Sequence, residues 1–394
     1  VNTIRGKTAI VGAAFSTVSR RGDVPLGVLA MDAVRGAAAD AGIPVSDLDG
    51  LSVYPNPSRI GAGATDGVDY VSAHYMQRAL RMKEPRYTVQ VDPGSFVGSV
   101  IEASQAVAAG ACDYAVAWRA MHNPKGRFGA YTSREAGGPD QYLGPYGLMN
   151  QVAINGLVYS RYLEKYGATR EDMAHFAVNN RLNASRNPEA VWFGKPITHE
   201  QYVNDPMVAY PFSRLDCDMS VDGAGAVIVT SAERAKDLRS TPAYLLGYAS
   251  LGNERGYHVT PTLEDIERGG RHMGRVLWES AGVGPKDIDQ ANVYDGFSML
   301  VYTWLEALGY CGPGEAHEFV RDGRIAVDGE LPLNTSGGSL GMGRLHGTAQ
   351  LIEAVRQIQG VCGENQVADV NLTQACSGAP FWGCGSVVLG RDPQ

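Results

Sequence analysis

The sequence predicts an α/β fold built from two similar halves, and three observations carry that prediction. Short apolar runs alternate with stretches of helical period along most of the chain, the rhythm of strands linked by crossover helices. Three patterns then recur in one order. AAADAGIPVSDLDGLSVY (37–54) returns as LWESAGVGPKDIDQANVY (277–294), pairing Ala41 with Ala281, Gly42 with Gly282, Asp49 with Asp289 and Tyr54 with Tyr294. SFVGSVIEA (95–103) returns as HGTAQLIEA (346–354), and GAGAVIV (223–229) as GCGSVVL (383–389). A single match carries little; three in sequence argue for an internal duplication. The third observation is the stretch 331–360, LPLNTSGGSLGMGRLHGTAQLIEAVRQIQG, which reads as a short strand, a glycine-rich loop and a helix. In that helix Leu351, Ala354, Val355 and Ile358 form one apolar face, and Gly360 closes it.

In chain order, Lys7–Phe15 is a buried-type strand and Pro25–Gly42 a helix with Leu26, Leu29, Ala30 and Ala33 on one face. Asp49–Tyr54 is a second strand. Asn56–Tyr75 is a Gly/Ser/Pro-rich loop running into a weak helix. A strand at Tyr87–Val91, a turn at Asp92–Gly94, a helix at Phe96–Ala109 and a strand at Asp113–Trp118 follow. From about 121 to 211 the rhythm breaks, with a Gly/Pro/Tyr-rich stretch and helices at Asn150–Tyr166 and Arg170–Asn183. This is an insertion over one edge of the core. Strands return at Gly223–Thr230, Tyr244–Tyr248 and Gln290–Tyr294, with a helix at Leu263–Ala281 between the last two. The halves therefore span 1–240, including the insertion, and 241–394. Duplicated halves of this kind pack about a pseudo-two-fold, with the site where equivalent loops converge. Ser95 and His346 then occupy equivalent helix starts.

Composition narrows the function. With 394 residues, 44% hydrophobic and 19% charged, the chain has ample material for a core. No apolar run reaches transmembrane length and no signal-peptide pattern is present, so a cytoplasmic protein is expected. The six cysteines (Cys112, Cys217, Cys311, Cys362, Cys376, Cys384) form no CxxC pair, which argues against zinc and against a disulfide framework. The net charge is −8 and the basic residues are dispersed, which argues against nucleic acid as a partner.

The glycine-rich loop is the first candidate site. Five glycines between Gly337 and Gly347 exceed what a turn needs and imply close backbone approach. His346 and Arg344 beside the free amides of a helix start suit a developing oxyanion; the other reading is a tight turn with a solvated histidine. The acidic stretch Asp216–Asp222 reads as a turn before a strand, since no histidine lies near enough to make it a metal site.

Taken together, these residues resemble the thiolase superfamily over nearly the whole chain, and most nearly its lipid-transfer protein and sterol-carrier thiolase branch. The resemblance implies a thiolase-like fold in layers αβαβα. SFVGS stands where thiolases carry the nucleophilic cysteine motif C-x-x-G-S, which places Ser95 at the nucleophile position. GRLHG (343–347) stands for the G-H-P-x-G loop, with the histidine two places later. Cys376-Ser377-Gly378 matches the second cysteine's turn, and VYDGFS (293–298) the segment after the second-half strand. A serine without an adjacent base is a poor acyl nucleophile.

The resemblance extends to the steroid side-chain-degrading aldolases, which cleave β-hydroxyacyl-CoA by retro-aldol chemistry with an OB-fold/zinc-ribbon partner. It implies a catalytic tyrosine at Tyr294 and a second near position 344, where this chain has Arg344. The residues alone leave Tyr294 open between a core tyrosine and a base whose pKa a cation, Arg344 or His346, lowers. Asp295 is open between orienting a partner and capping a helix, and Cys376 between acyl transfer and packing. Gly338, Gly343 and Gly347 are the expected backbone lining for the thioester. The expected activity is carbon–carbon cleavage of an acyl-CoA. The alternatives are a degenerate 3-ketoacyl-CoA thiolase or acyltransferase, and a non-catalytic lipid-binding subunit. No tightly bound cofactor is expected, coenzyme A entering as part of the substrate. A homodimer is expected through an unpaired edge at Asp113–Trp118. The Tyr/Gly-rich stretch 126–147 is expected to dock the partner, which supplies part of the CoA-phosphate contact, the other reading being a lid over the site.

Overall fold

Strand faces alternate, and that alternation sets the layers of this protein. The computed structural model describes residues 4–54, 64–91, 95–122, 141–148, 150–251, 261–380 and 383–393. Among them, nine strands form one mixed sheet. Its first half runs inward from the edge as β3 (Tyr87–Gln90), β2 (Gly50–Val53), β4 (Tyr114–Met121), β7 (Gly223–Ser231) and β1 (Thr8–Phe15). Its second half continues as β8 (Ala243–Leu251), β11 (Cys384–Gly390), β10 (Leu372–Ser377) and β9 (Gln290–Asn292). The seam is short and antiparallel, pairing Ala9 with Tyr244 and Ile10 with Ala243.

Read outward from the seam, the two halves repeat one order. β2 pairs with β4 in parallel as β9 pairs with β10. Where the first half has β3, the second has a lone parallel bridge between Ala291 and Leu333. The strand expected at the head of 331–360 is thus reduced to one bridge. Pro332 has no N–H to donate, and Asn334 turns out of extended backbone at φ 47°.

One face of the strands presents Ile10, Ala115, Ala117, Val227, Val229, Leu245, Val387 and Leu389 to α3 (Ser95–Ala108) and α12 (Thr348–Gln359). The other presents Val11, Val116, Trp118, Ile228, Leu246 and Val388 to α1 (Leu26–Ala41) and α8 (Leu263–Ala281). Residues two apart share a face. α3 and α12 each pack on strands of both halves and so lie between them, while α1 covers the outside of the first half and α8 that of the second, giving the layers αβαβα. α1 and α8 end alike, on left-handed Gly42 and Gly282 (φ 76° and 67°), the glycines that the internal repeat pairs.

The insertion lies between β4 and β7. It holds α4 (Gln151–Tyr166), α5 (Met173–Arg186), α6 (His199–Val203) and the hairpin of β5 (Met207–Ala209) and β6 (Phe212–Ser213). Asn150 caps α4 by accepting from the Ala153 N–H at 2.8 Å. After α5 the chain forms α6, started by a Thr198/Gln201 capping box. Short helices α2 (Ala73–Ala79), α7 (Ala232–Ala235), α9 (Met299–Ala307), α10 (Ala316–Phe319) and α11 (Gly338–Met342) complete the described chain.

The edge expected at Asp113–Trp118 is not an edge. β4 is paired on both sides, with β2 and with β7, so its two apolar faces are those of a central strand. The outer strand of that half is β3, whose residues alternate between half-buried and exposed. The turn expected at Asp92–Gly94 and the part of the Tyr/Gly-rich stretch at 126–140 lie outside the described residues. Tyr142 and Tyr146, at the end of that stretch, are 71% and 87% exposed. No helix among the described residues is long and apolar enough to cross a membrane.

Candidate active site

The chain leaving β9 is clamped before it reaches the site. The Val293 N–H donates to Asn334 Oδ1 at 2.8 Å, and Asn334 Nδ2 donates back to the Val293 carbonyl at 2.9 Å. Tyr294 follows, its N–H donating to Cys376 Sγ at 3.3 Å. Its ring folds back over Gly296, where an added Cβ would lie 2.5 Å from the phenol oxygen. Asp295 points the other way and is fully buried. It accepts from the Ser339 and Leu340 N–H groups at 2.6 and 3.3 Å, from Gln350 Nε2 at 2.7 Å and from Asn180 Nδ2 at 3.2 Å. Asp295 therefore holds the start of α11 and ties it to α5 and α12.

Ser95 and His346 converge from the two halves. Ser95 is the first residue of α3, and His346 lies two residues before α12; both have positive φ, 56° and 50°. Ser377, at the end of β10, sits between them. Its Oγ accepts from the Val97 N–H at 3.3 Å, and a Cβ on Gly347 would overlap its own Cβ. Behind His346 stands Arg119 of β4, buried, with its guanidinium 4.7 Å from the Tyr54 ring centroid and bonded to the Tyr54 carbonyl. Arg119 Nη2 lies 3.4 Å from His346 Nδ1. A guanidinium only donates, so this contact assigns the accepting lone pair to Nδ1 and the proton to Nε2.

Arg344 enters from a third direction. Its N–H donates to the Met219 carbonyl at 2.8 Å, and its Nε lies 3.9 Å from Asp218 Oδ1. Asp218 N–H in turn donates to the Gly296 carbonyl at 3.2 Å, and Cys217 bridges Phe297. The segment 217–219 thus bonds both the Tyr294 loop and the Arg344 loop. Tyr54 lies 6.5 Å from His346, ring to ring, and within electrostatic reach of Tyr294.

Electrostatics revise the expected chemistry. Burial pushes the Tyr294 phenol well above its ordinary range, Asp218 adds to the rise, and Arg344 only partly opposes it. The cation expected to make Tyr294 a ready tyrosinate is outweighed by desolvation. Burial also pushes Asp218 and Asp295 up to about 7. Cys376 is fully buried, and burial raises its thiol well above the usual range, leaving a neutral sulfur that accepts the Tyr294 N–H. The close approach permitted by Gly338, Gly343 and Gly347 is to protein atoms: Asp295, Val221 and Ser377 respectively. These three glycines pack the site from within.

Two residues of this cluster escaped the sequence reading. Arg119 had a signal, a lone arginine next to the apolar run DYAVAW. Asp218 had only its place in DCDMSVD, where a turn carboxylate and a buried one read alike.

Known proteins are similar to this chain over nearly its whole length. A family model described as Thiolase C-terminal domain-like matches residues 260–391. The chain is 35% identical to a 17-hydroxy-3-oxo-4-pregnene-20-carboxyl-CoA lyase of Mycobacterium tuberculosis, covering 96% of this chain and 99% of that one. It is 34% identical to a steroid side-chain-cleaving aldolase of Thermomonospora curvata over 100% of both. The solved Ltp2-ChsH2(DUF35) aldolase superposes with a TM-score of 0.87 at 31% identity, covering 98% of each chain. With these similarities and the duplicated αβαβα fold, the chain belongs to the thiolase superfamily, in the branch that holds the steroid side-chain-cleaving aldolases.

Proposed function

We infer that this protein cleaves a carbon–carbon bond of a β-hydroxyacyl-CoA by retro-aldol chemistry, releasing a ketone and a shortened acyl-CoA, with a steroid side chain or similarly bulky group as substrate. The observation that carries this reading is the lack of a usable thiolate. Ser95 stands at the nucleophile position, and Cys376 is buried, neutral and engaged with the Tyr294 backbone. A retro-aldol step needs no nucleophile. A group at the β-hydroxyl takes its proton, the C2–C3 pair becomes an enolate on the thioester, and a proton returns to C2. Tyr294 is the group for the hydroxyl. The His346 Nε2–H, with the first turns of α3 and α12, is the donor set for the enolate oxygen.

The same reading includes assembly. The outer strand β3 is the edge for a homodimer. Exposed Tyr142 and Tyr146 end a docking segment for an OB-fold/zinc-ribbon subunit, in keeping with the partner named in the Ltp2-ChsH2(DUF35) structure. Coenzyme A arrives with the substrate, and the setting is the cytoplasm. Support for this comes from six cysteines that are all unpaired.

The test is intact-protein mass spectrometry of acid-quenched turnover. The reading expects the unmodified mass at every time point. A transient increase equal to an acyl group, lost in Ser95→Ala or Cys376→Ala, would replace it with acyl transfer.

A further inference from the structure

We propose that Asp218 is the proton-holding partner of Tyr294: as the phenol takes the substrate's β-hydroxyl proton, its own proton passes to Asp218 Oδ2, directly or through one water. This rests on the retro-aldol reading above.

Three observations lead to it. The Asp218 side chain is 2% exposed, and its Oδ2 has no hydrogen-bond partner among the described residues. A buried carboxylate oxygen left without a donor is costly to the fold, and such a group calls for a role. Second, the backbone of 217–219 is bonded to both loops of the site, so Asp218 is held between Tyr294 and Arg344 and not merely near them. Third, Asp218 is the largest charge acting on the Tyr294 phenol. A tyrosine this deeply buried does not supply a standing tyrosinate. A relay removes that need, because the phenol stays neutral while one proton enters and another leaves.

The step balances. The β-hydroxyl O–H breaks and its proton joins the Tyr294 oxygen. The Tyr294 O–H breaks and its proton joins Asp218. The C2–C3 bond breaks, its electron pair forming the enolate, and the hydroxyl oxygen becomes the ketone carbonyl. Asp218 returns its proton through Tyr294 when C2 is protonated, so no outside acid is consumed. Burial raises Asp218 to about 7; Arg344, 3.9 Å away, opposes that rise and keeps the carboxylate available, and Asp295 adds to the rise. The groups facing Asp218 are Arg344 from the loop before α12, Tyr294 and Asp295 from the chain after β9, and Cys217 on its own segment.

The experiment uses the full chain, with any subunit that co-purifies from its host, on a β-hydroxyacyl-CoA bearing a bulky C3 substituent. Wild-type kcat should fall as pH drops through about 7, where Asp218 takes a proton. The wild-type rate in H2O/D2O mixtures should curve, as two protons in flight require. Asp218→Asn should lose about 10²-fold in kcat with KM little changed, lose the limb near neutrality and give a linear isotope plot; Asp218→Glu should restore part of kcat. Wild-type kcat and pH profile in Asp218→Asn, or a linear isotope plot in the wild type, would overturn the relay while leaving the lyase reading intact. The wild-type measurements stand even if the asparagine variant does not fold. If the wild type releases no ketone, it is the lyase reading that fails.

Discussion

Ser95 and His346 hold the same unusual backbone, φ 56° and 50°, at the equivalent entrances to α3 and α12. A non-glycine residue in the left-handed region is uncommon, and two at matching places in a duplicated fold are one inherited device for aiming a side chain into the site. At Ser95 this backbone carries a hydroxyl, a poor acyl nucleophile without an adjacent base. Ser95→Ala should therefore keep ketone release within about threefold. His346→Ala should lower kcat by roughly 10²–10³, as loss of an oxyanion donor does, with partial recovery in His346→Gln, which keeps an N–H. Steady-state kinetics of the three variants check this.

Gly296 is required by Tyr294. A methyl group there would lie 2.5 Å from the phenol oxygen, so Gly296→Ala must push the ring away. Activity should fall at least tenfold while the far-UV spectrum and cooperative melting persist. Unchanged kcat would show that the phenol's position is not critical.

Asp295 is a structural anchor. Asp295→Ala strands the Ser339 and Leu340 N–H groups and takes one acceptor each from Asn180 and Gln350, whose amides keep the Gly337 carbonyl and Ser339 Oγ. The expected loss is about 3 kcal/mol or more, read by urea melting. By contrast, Cys376→Ala removes a small buried sulfur and one weak acceptor, which should cost about 1–2 kcal/mol and leave kcat within a few fold.

Stability should fall as pH rises toward neutrality. Asp218 and Asp295 are held at about 7 in the folded protein, against ~3.9 for an unfolded aspartate. The folded state keeps protons that the unfolded chain gives up. The contribution is full below about pH 4 and is lost as pH rises through about 7, by up to about 1.4 kcal/mol per pH unit for each group. The two act on one another, so they titrate as a pair. Melting at pH 5 and pH 8 should show a smaller difference for Asp218→Asn than for the wild type.

Most of the fold was legible because repetition is a sequence property. The pairs Gly42/Gly282 and Ser95/His346 could be aligned without knowing what they touch, and the members of each pair share a left-handed backbone next to or at a helix end. What was not legible depended on neighbours. β4 read as a lone apolar edge because its two partner strands lie far away in sequence. α9 and α11 lack an amphipathic period, since one is buried almost all round and the other is a glycine-rich turn held by Asp295. Tyr294 was found through family position, but the sign of its pKa shift was not. Burial is a sum over the whole fold, and it outweighs the single arginine that the motif made visible. Asp218 lay in plain sight, two residues after another buried aspartate, with nothing local to tell a solvated turn from a carboxylate set between two loops.

The most direct measurement is the dependence of cleavage on free coenzyme A. With a β-hydroxyacyl-CoA carrying a bulky C3 substituent and all free CoA removed enzymatically, ketone and shortened acyl-CoA should appear in equal amounts at the full rate. Tyr294→Phe should abolish both together. Cleavage that stops when free CoA is removed and returns in proportion to added CoA would mean that the bond is broken by thiolysis, and would contradict the account.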